Sequence, residues 1–195
     1  KNKNMRSIFL VLVIAISCVC LQGCDRSGKQ KVDEAKRHLT TARAYQQQGQ
    51  WRAAMIEARN AASKGASPDE GLAVLADIYM QIGANQAAIE LFEKIAKDNL
   101  ELNLKWVEAL LAEGKYHTAQ NILLSLPEAT RNTSIKYHQL RLKLASTQGE
   151  FEQAAEQIKQ LESLGVAKQD LHYWRAQIAV AKGDWAQAHS FLEQA

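Results

Sequence analysis

The side chains of this chain best suited to covalent or metal chemistry are three thiols and five imidazoles, and their positions set them apart at once. Cys18, Cys20 and Cys24 all precede residue 25. A thiol can be acylated, oxidised to a disulfide or held as a thiolate by a metal. Because no cysteine follows residue 24, the body of the chain has no disulfide framework, no cysteine zinc set and no catalytic thiol. Among His38, His117, His138, His172 and His189, no two stand one helical turn apart and none belongs to an H-E-x-x-H pattern. His172 is two residues from Asp170, which reads as a surface pair. There is no G-x-S-x-G, P-loop or G-x-G-x-x-G. The sequence therefore predicts no catalytic site, no metal and no cofactor, and the chemistry left to explain is that of Cys24.

Cys24 closes a leader. Met5-Arg6 opens it, Ser7 follows, and Ile8 to Leu21 is almost wholly apolar. Fourteen residues are too few to cross a bilayer comfortably, but they fit the apolar region of a secretory signal. The run ends Leu21-Gln22-Gly23-Cys24, which resembles the lipobox of bacterial lipoproteins. The resemblance implies cleavage between Gly23 and Cys24 and a diacylglyceryl group on the Cys24 sulfur. Residues 1–23 would then be a discarded signal, and residues 24–31 a lipidated cysteine with a short polar linker. Two or more acyl chains make such an anchor stable. Eight linker residues span at most about 28 Å, so the rest of the chain would lie close to the bilayer. Asp25 resembles the residue that retains such lipoproteins in the inner membrane of enteric-type bacteria, facing the periplasm, and the outer membrane stays open as a destination. The Asn132-Thr133-Ser134 sequon carries no meaning behind such a leader.

Charge narrows the partners. The formal net charge of +3 comes from Lys1, Lys3 and Arg6, all in the leader. Beyond it 21 basic residues face 21 acidic ones. A neutral body lacks the basic stripe that nucleic acid requires, so no nucleic-acid partner is expected.

The elements that must carry any site follow from a repeat. Gly49, Gly83, Gly114, Gly149 and Gly183 are each followed five residues later by an alanine: Ala54, Ala88, Ala119, Ala154 and Ala188. The glycines are 34, 31, 35 and 34 residues apart. Proline is scarce, helix formers dominate, and nothing after residue 30 alternates with a period of two over strand length. A glycine adopts the left-handed residue that ends a first helix at least cost. A small residue five later lets a second helix cross the first closely. An aromatic or other side chain two after the glycine (Trp51, Asn85, Tyr116, Phe151, Trp185) would plug the turn. A residue nine after it (Ala58, Phe92, Leu123, Ile158, Leu192) would pack on the neighbouring unit. These offsets resemble the tetratricopeptide repeat. The resemblance implies an all-α, right-handed solenoid of helix–turn–helix units over residues 32–195, about five of them, the last incomplete. The short 31-residue interval implies a trimmed connection near Asp98–Leu102. The aromatic four before the glycine is kept in Tyr45 and Tyr79, and gives way to Leu110, Ala145 and Ala179. Trp174, Trp185, Phe191 and Leu192 crowd the last unit, which predicts further repeats beyond Ala195.

By the register of that family, a concave face would bind protein partners or peptide segments. It would draw on Lys36, Leu39, Arg43, Gln46 and Gln47 in the first unit and on Glu70, Ala73, Asp77, Met80 and Gln81 in the second. The third would add Glu101, Leu104, Glu108 and Leu111, the fourth Lys136, Gln139 and Lys143, and the fifth Asp170, Tyr173 and Gln177. Leu39 and Arg43 stand where some relatives place the lysine and asparagine that clamp a carboxylate, so chaperone-tail binding is not implied. The leading expectation is a lipid-anchored scaffold of the bacterial envelope. Its design resembles the repeat lipoproteins of exopolysaccharide export, including the PEP-CTERM/exosortase type. The alternatives are a lipoprotein of type IV pilus or outer-membrane assembly, and the anchoring arm of a larger enzyme.

Overall fold

The computed structural model describes residues 30–64, 68–97 and 99–195. The expected leader, the expected Gly23/Cys24 cleavage site and most of the expected linker lie outside the described residues. Those described are helical with short turns, without strands. They fall into two compact units, divided between Ile82 and Gly83.

The first unit holds α1 (30–47), α2 (Trp51–Lys64) and α3 (Pro68–Gln81). α1 buries a narrow stripe, Ala35, Leu39 and Ala42, and exposes charged and amide side chains elsewhere. α2 buries only alanines, Ala54, Ala58 and Ala61, so its neighbours approach its backbone. The approach is tightest at Gly71 of α3. A Cβ there would sit 2.4 Å from the backbone nitrogen of Ala62. Gly71 is therefore required by contact, not by backbone torsion.

The second unit holds α4 (Asn85–Ile95), α5 (Leu100–Ala112), α6 (Tyr116–Ser125), α7 (Glu128–Thr133), α8 (Ile135–Gln148), α9 (Phe151–Ser163), α10 (Lys168–Lys182) and α11 (Trp185–Leu192). Phe92 and Leu123 are wholly enclosed, as is Val107. Around α8 to α10 the core gathers Leu142, Ile158, Leu161, Leu171 and Ile178, with Phe151 and Trp174 packed against it. Each such side chain contributes about 1.5–3 kcal/mol through burial. The trimmed connection expected between repeats two and three is short. α4 ends at Ile95, Lys97 turns with φ 30°, and the Asn99 side chain caps α5 by accepting from the Leu102 amide. Between repeats three and four the chain departs from a plain connection. Pro127, extended at ψ 143°, starts the six-residue helix α7, and Ser134 then caps α8.

The phased residues behave as the repeat requires. All five glycines are left-handed, with φ between 70° and 78°. In four of the turns the residue after the glycine donates its amide to the carbonyl four before the glycine: Gln50 to Tyr45, Lys115 to Leu110, Glu150 to Ala145 and Asp184 to Ala179, at 2.8–2.9 Å. That bond closes the first helix and launches the second. The five alanines are 0–3% exposed.

Candidate functional site

The first helices carry the residues picked out by register. On α1, Lys36, Arg43 and Gln47 are exposed along one side. On α3, Asp77 and Met80 are half-buried. On α5, Glu108 accepts from the Lys136 ammonium of α8 at 3.0 Å, so these two charges tie neighbouring first helices together. Lys143 of α8 is exposed, as are Tyr173 and Gln177, one turn apart on α10.

Three leucines assigned to the same face do not stand on it. Leu39, Leu104 and Leu111 are buried. An aliphatic side chain at the edge of a first-helix stripe turns into the core wherever a neighbouring helix is near enough to cover it, because exposing it forfeits the burial energy. The presented face is thus more polar than the register suggested. Among the plugs, Trp51, Tyr116 and Phe151 are half-buried in their turns, whereas Trp185 is 69% exposed. Lys182 stands 5.5 Å over the Phe151 ring. Beside them lies a shallow pocket of about 410 Å³ lined by Gly149, Glu150, Glu152 and Gln153.

A second pattern was legible only by aligning the turns. The residue eleven before a glycine faces the residue eight after it. In the first unit His38 Nδ1 meets Glu57 Oε2, and in the second His138 Nδ1 lies 2.8 Å from the Gln157 side-chain oxygen. His172 occupies the same position and sets its ring 6.2 Å from Phe191, with Nδ1 buried and unpartnered, in place of the expected Asp170 surface pair. These three histidines thus stand between paired helices. Glu34 is held below the ordinary glutamate range by the hydrogen bond and the charge of Lys64, 2.6 Å away. Glu156 is lowered by the Gln160 amide and by Lys159. Among the described residues no group of three or more His, Cys, Asp or Glu could hold a metal, and no helix is long and apolar enough to cross a membrane.

Among the described residues this arrangement presents polar side chains along the first helices. It defines a class: an all-α protein of TPR-like helix pairs. A family model of the tetratricopeptide repeat matches residues 79–144. Several solved structures share the fold. MamA from residue 41 onward, of Desulfovibrio magneticus RS-1, aligns with a TM-score of 0.69 at 18% identity, covering 83% of this chain and 93% of that one. A tetratricopeptide repeat protein of Parabacteroides merdae ATCC 43184 aligns at 0.73 and 17% identity, over 82% of this chain and 63% of that one. A thermophilic TPR protein of Thermus thermophilus aligns at 0.64 and 18%, over 82% and 89%. No curated protein matches the sequence significantly.

Proposed function

We infer that this chain is a membrane-tethered scaffold facing the periplasm, holding segments of protein partners against the exposed sides of its first helices. The observation that carries the scaffold reading is the set of side chains standing in solvent on those helices. Lys36, Arg43 and Gln47 project from α1, and Tyr173 and Gln177 from α10, while the interior beneath them is apolar. Arginine offers a planar fork for carboxylates. An exposed tyrosine adds apolar area with a hydroxyl at its tip, a common anchor at interfaces. On its own unit, α1 therefore suits a segment bearing acidic residues, and α10 suits one bearing an apolar side chain.

The tether rests on the lipobox-like ending at Cys24, and the inner-membrane address on Asp25. Work in envelope or exopolysaccharide assembly follows from the pairing of that anchor with repeats that begin a few residues later. A photo-crosslinking residue at position 173, introduced in the native host, tests the partner reading. The expected result is a small set of envelope proteins in the adducts, weakened by Gln177→Ala. A scaffold that yields no adduct in its own host is not a scaffold through this face. Cys24→Ser tests the tether separately: radiolabelled palmitate should no longer mark the protein, and it should leave the membrane fraction.

A further inference from the structure

The second helices also have an outer side, and one of them differs from the rest. Positions three, seven and ten after each phased glycine stand together on one side of a helix. On α2 they are Arg52, Ile56 and Arg59, all exposed, directly across from the buried Ala54, Ala58 and Ala61. Ile56 is 49% exposed between the two arginines. On α4 the same positions include Glu90 and Glu93, and on α9 Glu152 and Glu156, all exposed. α6 and α11 place no lysine or arginine there. The charge around α2 has the same sign. Residues 30–64, which form α1 and α2, hold seven basic residues against three acidic ones. Two of those three carboxylates are engaged, Glu34 by Lys64 and Glu57 by His38. Arg59 donates to the Tyr79 hydroxyl of α3 at 2.9 Å, a neutral partner. Among the described residues Arg52 has no carboxylate partner.

We propose that the outer side of α2 docks on an anionic lipid surface. The guanidinium groups of Arg52 and Arg59 take lipid phosphates, for which their planar fork is suited. Ile56, between them, enters the boundary between headgroups and acyl chains. Surface binding of this kind grows with buried apolar area and with attraction to anionic lipid. A layer of phosphates above hydrocarbon matches all three side chains. An acidic protein surface would satisfy the arginines and leave the isoleucine unexplained. A second copy docked by the same side would set arginine against arginine. The proposal extends the tethered-scaffold reading, since a docked α2 would fix how the first unit meets the bilayer, but its evidence is the composition of α2 and not Cys24.

The test uses the full chain with Cys24→Ser, so that no acyl group contributes. Dansylalanine replaces Ser63, an exposed residue one turn beyond Arg59 on the same side of α2. The protein is mixed with vesicles of phosphatidylcholine, alone or blended with phosphatidylglycerol. The apolar run Ile8 to Leu21 can hold the chain on either vesicle, so lipid charge is the variable read at α2. A blue shift of the probe and its quenching by doxyl-labelled lipid are expected with the anionic vesicles only, and high salt should reverse both. Arg52→Gln should lower the ratio of docked to undocked protein about fivefold, and Arg52→Gln with Ile56→Gln should abolish the shift. Both changes fall on exposed side chains, and unchanged thermal melting verifies the fold. The same probe at Glu90 of α4 should stay in water throughout. No shift, an equal shift on neutral vesicles, an equal shift at position 90, or a shift that survives the double substitution overturns the proposal. A probe that responds to polyglutamate and not to anionic vesicles also overturns it, by giving the face to an acidic protein. Palmitate labelling plays no part in this readout, so a failed tether and a failed docking surface are separate results.

Discussion

The first and last repeats treat the same kind of face in opposite ways. On α1 the stripe that elsewhere meets a preceding helix is Arg37, Thr40 and Ala44, left in water. On α11 the residue at the corresponding position is Leu192, which is exposed, as is Trp185 two turns before it. A stack of repeats is stabilised largely through its neighbour interfaces, so a terminal face must be polar or covered. α1 is made polar. The α11 face keeps the composition of an interior one, and that asymmetry is what the following substitutions probe.

The largest effect should come from one register position read in two places. Phe92→Ala, at a fully enclosed site on α4, should cost about 3–5 kcal/mol in denaturant unfolding. Leu192→Ala at the equivalent position of α11 should cost under about 1 kcal/mol, because its side chain is half in water already. Equal losses would break the contrast between interior and terminal faces.

Next comes the first unit. Gly71→Ala drives a methyl into the Ala62 backbone and should cost about 1–3 kcal/mol. Gly83→Ala meets nothing within 4 Å and carries only the strain of its φ of 77°, about 1–2 kcal/mol. Asparagine, which tolerates the left-handed region, separates the two causes. Gly83→Asn should recover most of the loss and Gly71→Asn none. Recovery at Gly71 would mean that α2 and α3 are not packed backbone to backbone.

The smallest effect is the acid response of the first unit. Glu34 has a depressed folded pKa, caused first by the hydrogen bond from Lys64 and then by its charge. Its contribution to stability is present above the unfolded glutamate range and is lost as the pH falls through the folded value. Lys64→Met should therefore lower the melting temperature slightly at neutral pH and leave it unchanged in strong acid. The change is small because the pair is solvent-exposed and screened. A larger drop in acid than at neutral pH would reverse the assigned sign.

Much of the helix-pair plan could be read from residues alone, because two of its requirements act on single residues. A helix end that turns left-handed favours glycine, and a close helix crossing favours alanine. Five pairs in phase therefore marked five turns, and all five glycines are left-handed. The faces were less legible. Leu39, Leu104 and Leu111 were counted by register as partner-facing and are buried, since which edge of an apolar stripe is covered depends on the neighbouring helix. α7 escaped notice because one proline gives no sign of whether a connection runs extended or coils. Gly71 lies outside the set of phased glycines; its need is set by the distance to Ala62, nine residues back along the chain.

By itself, then, the sequence determined the five repeat turns and their phase, because backbone torsion and side-chain size at single positions decide those locally. The tertiary structure decided which leucines became core and which stayed outward. It also fixed that Glu108 spends its charge on Lys136 and that α11 leaves an interior-type face in water. Each of those outcomes depends on the distance to another helix, a quantity that no residue carries alone.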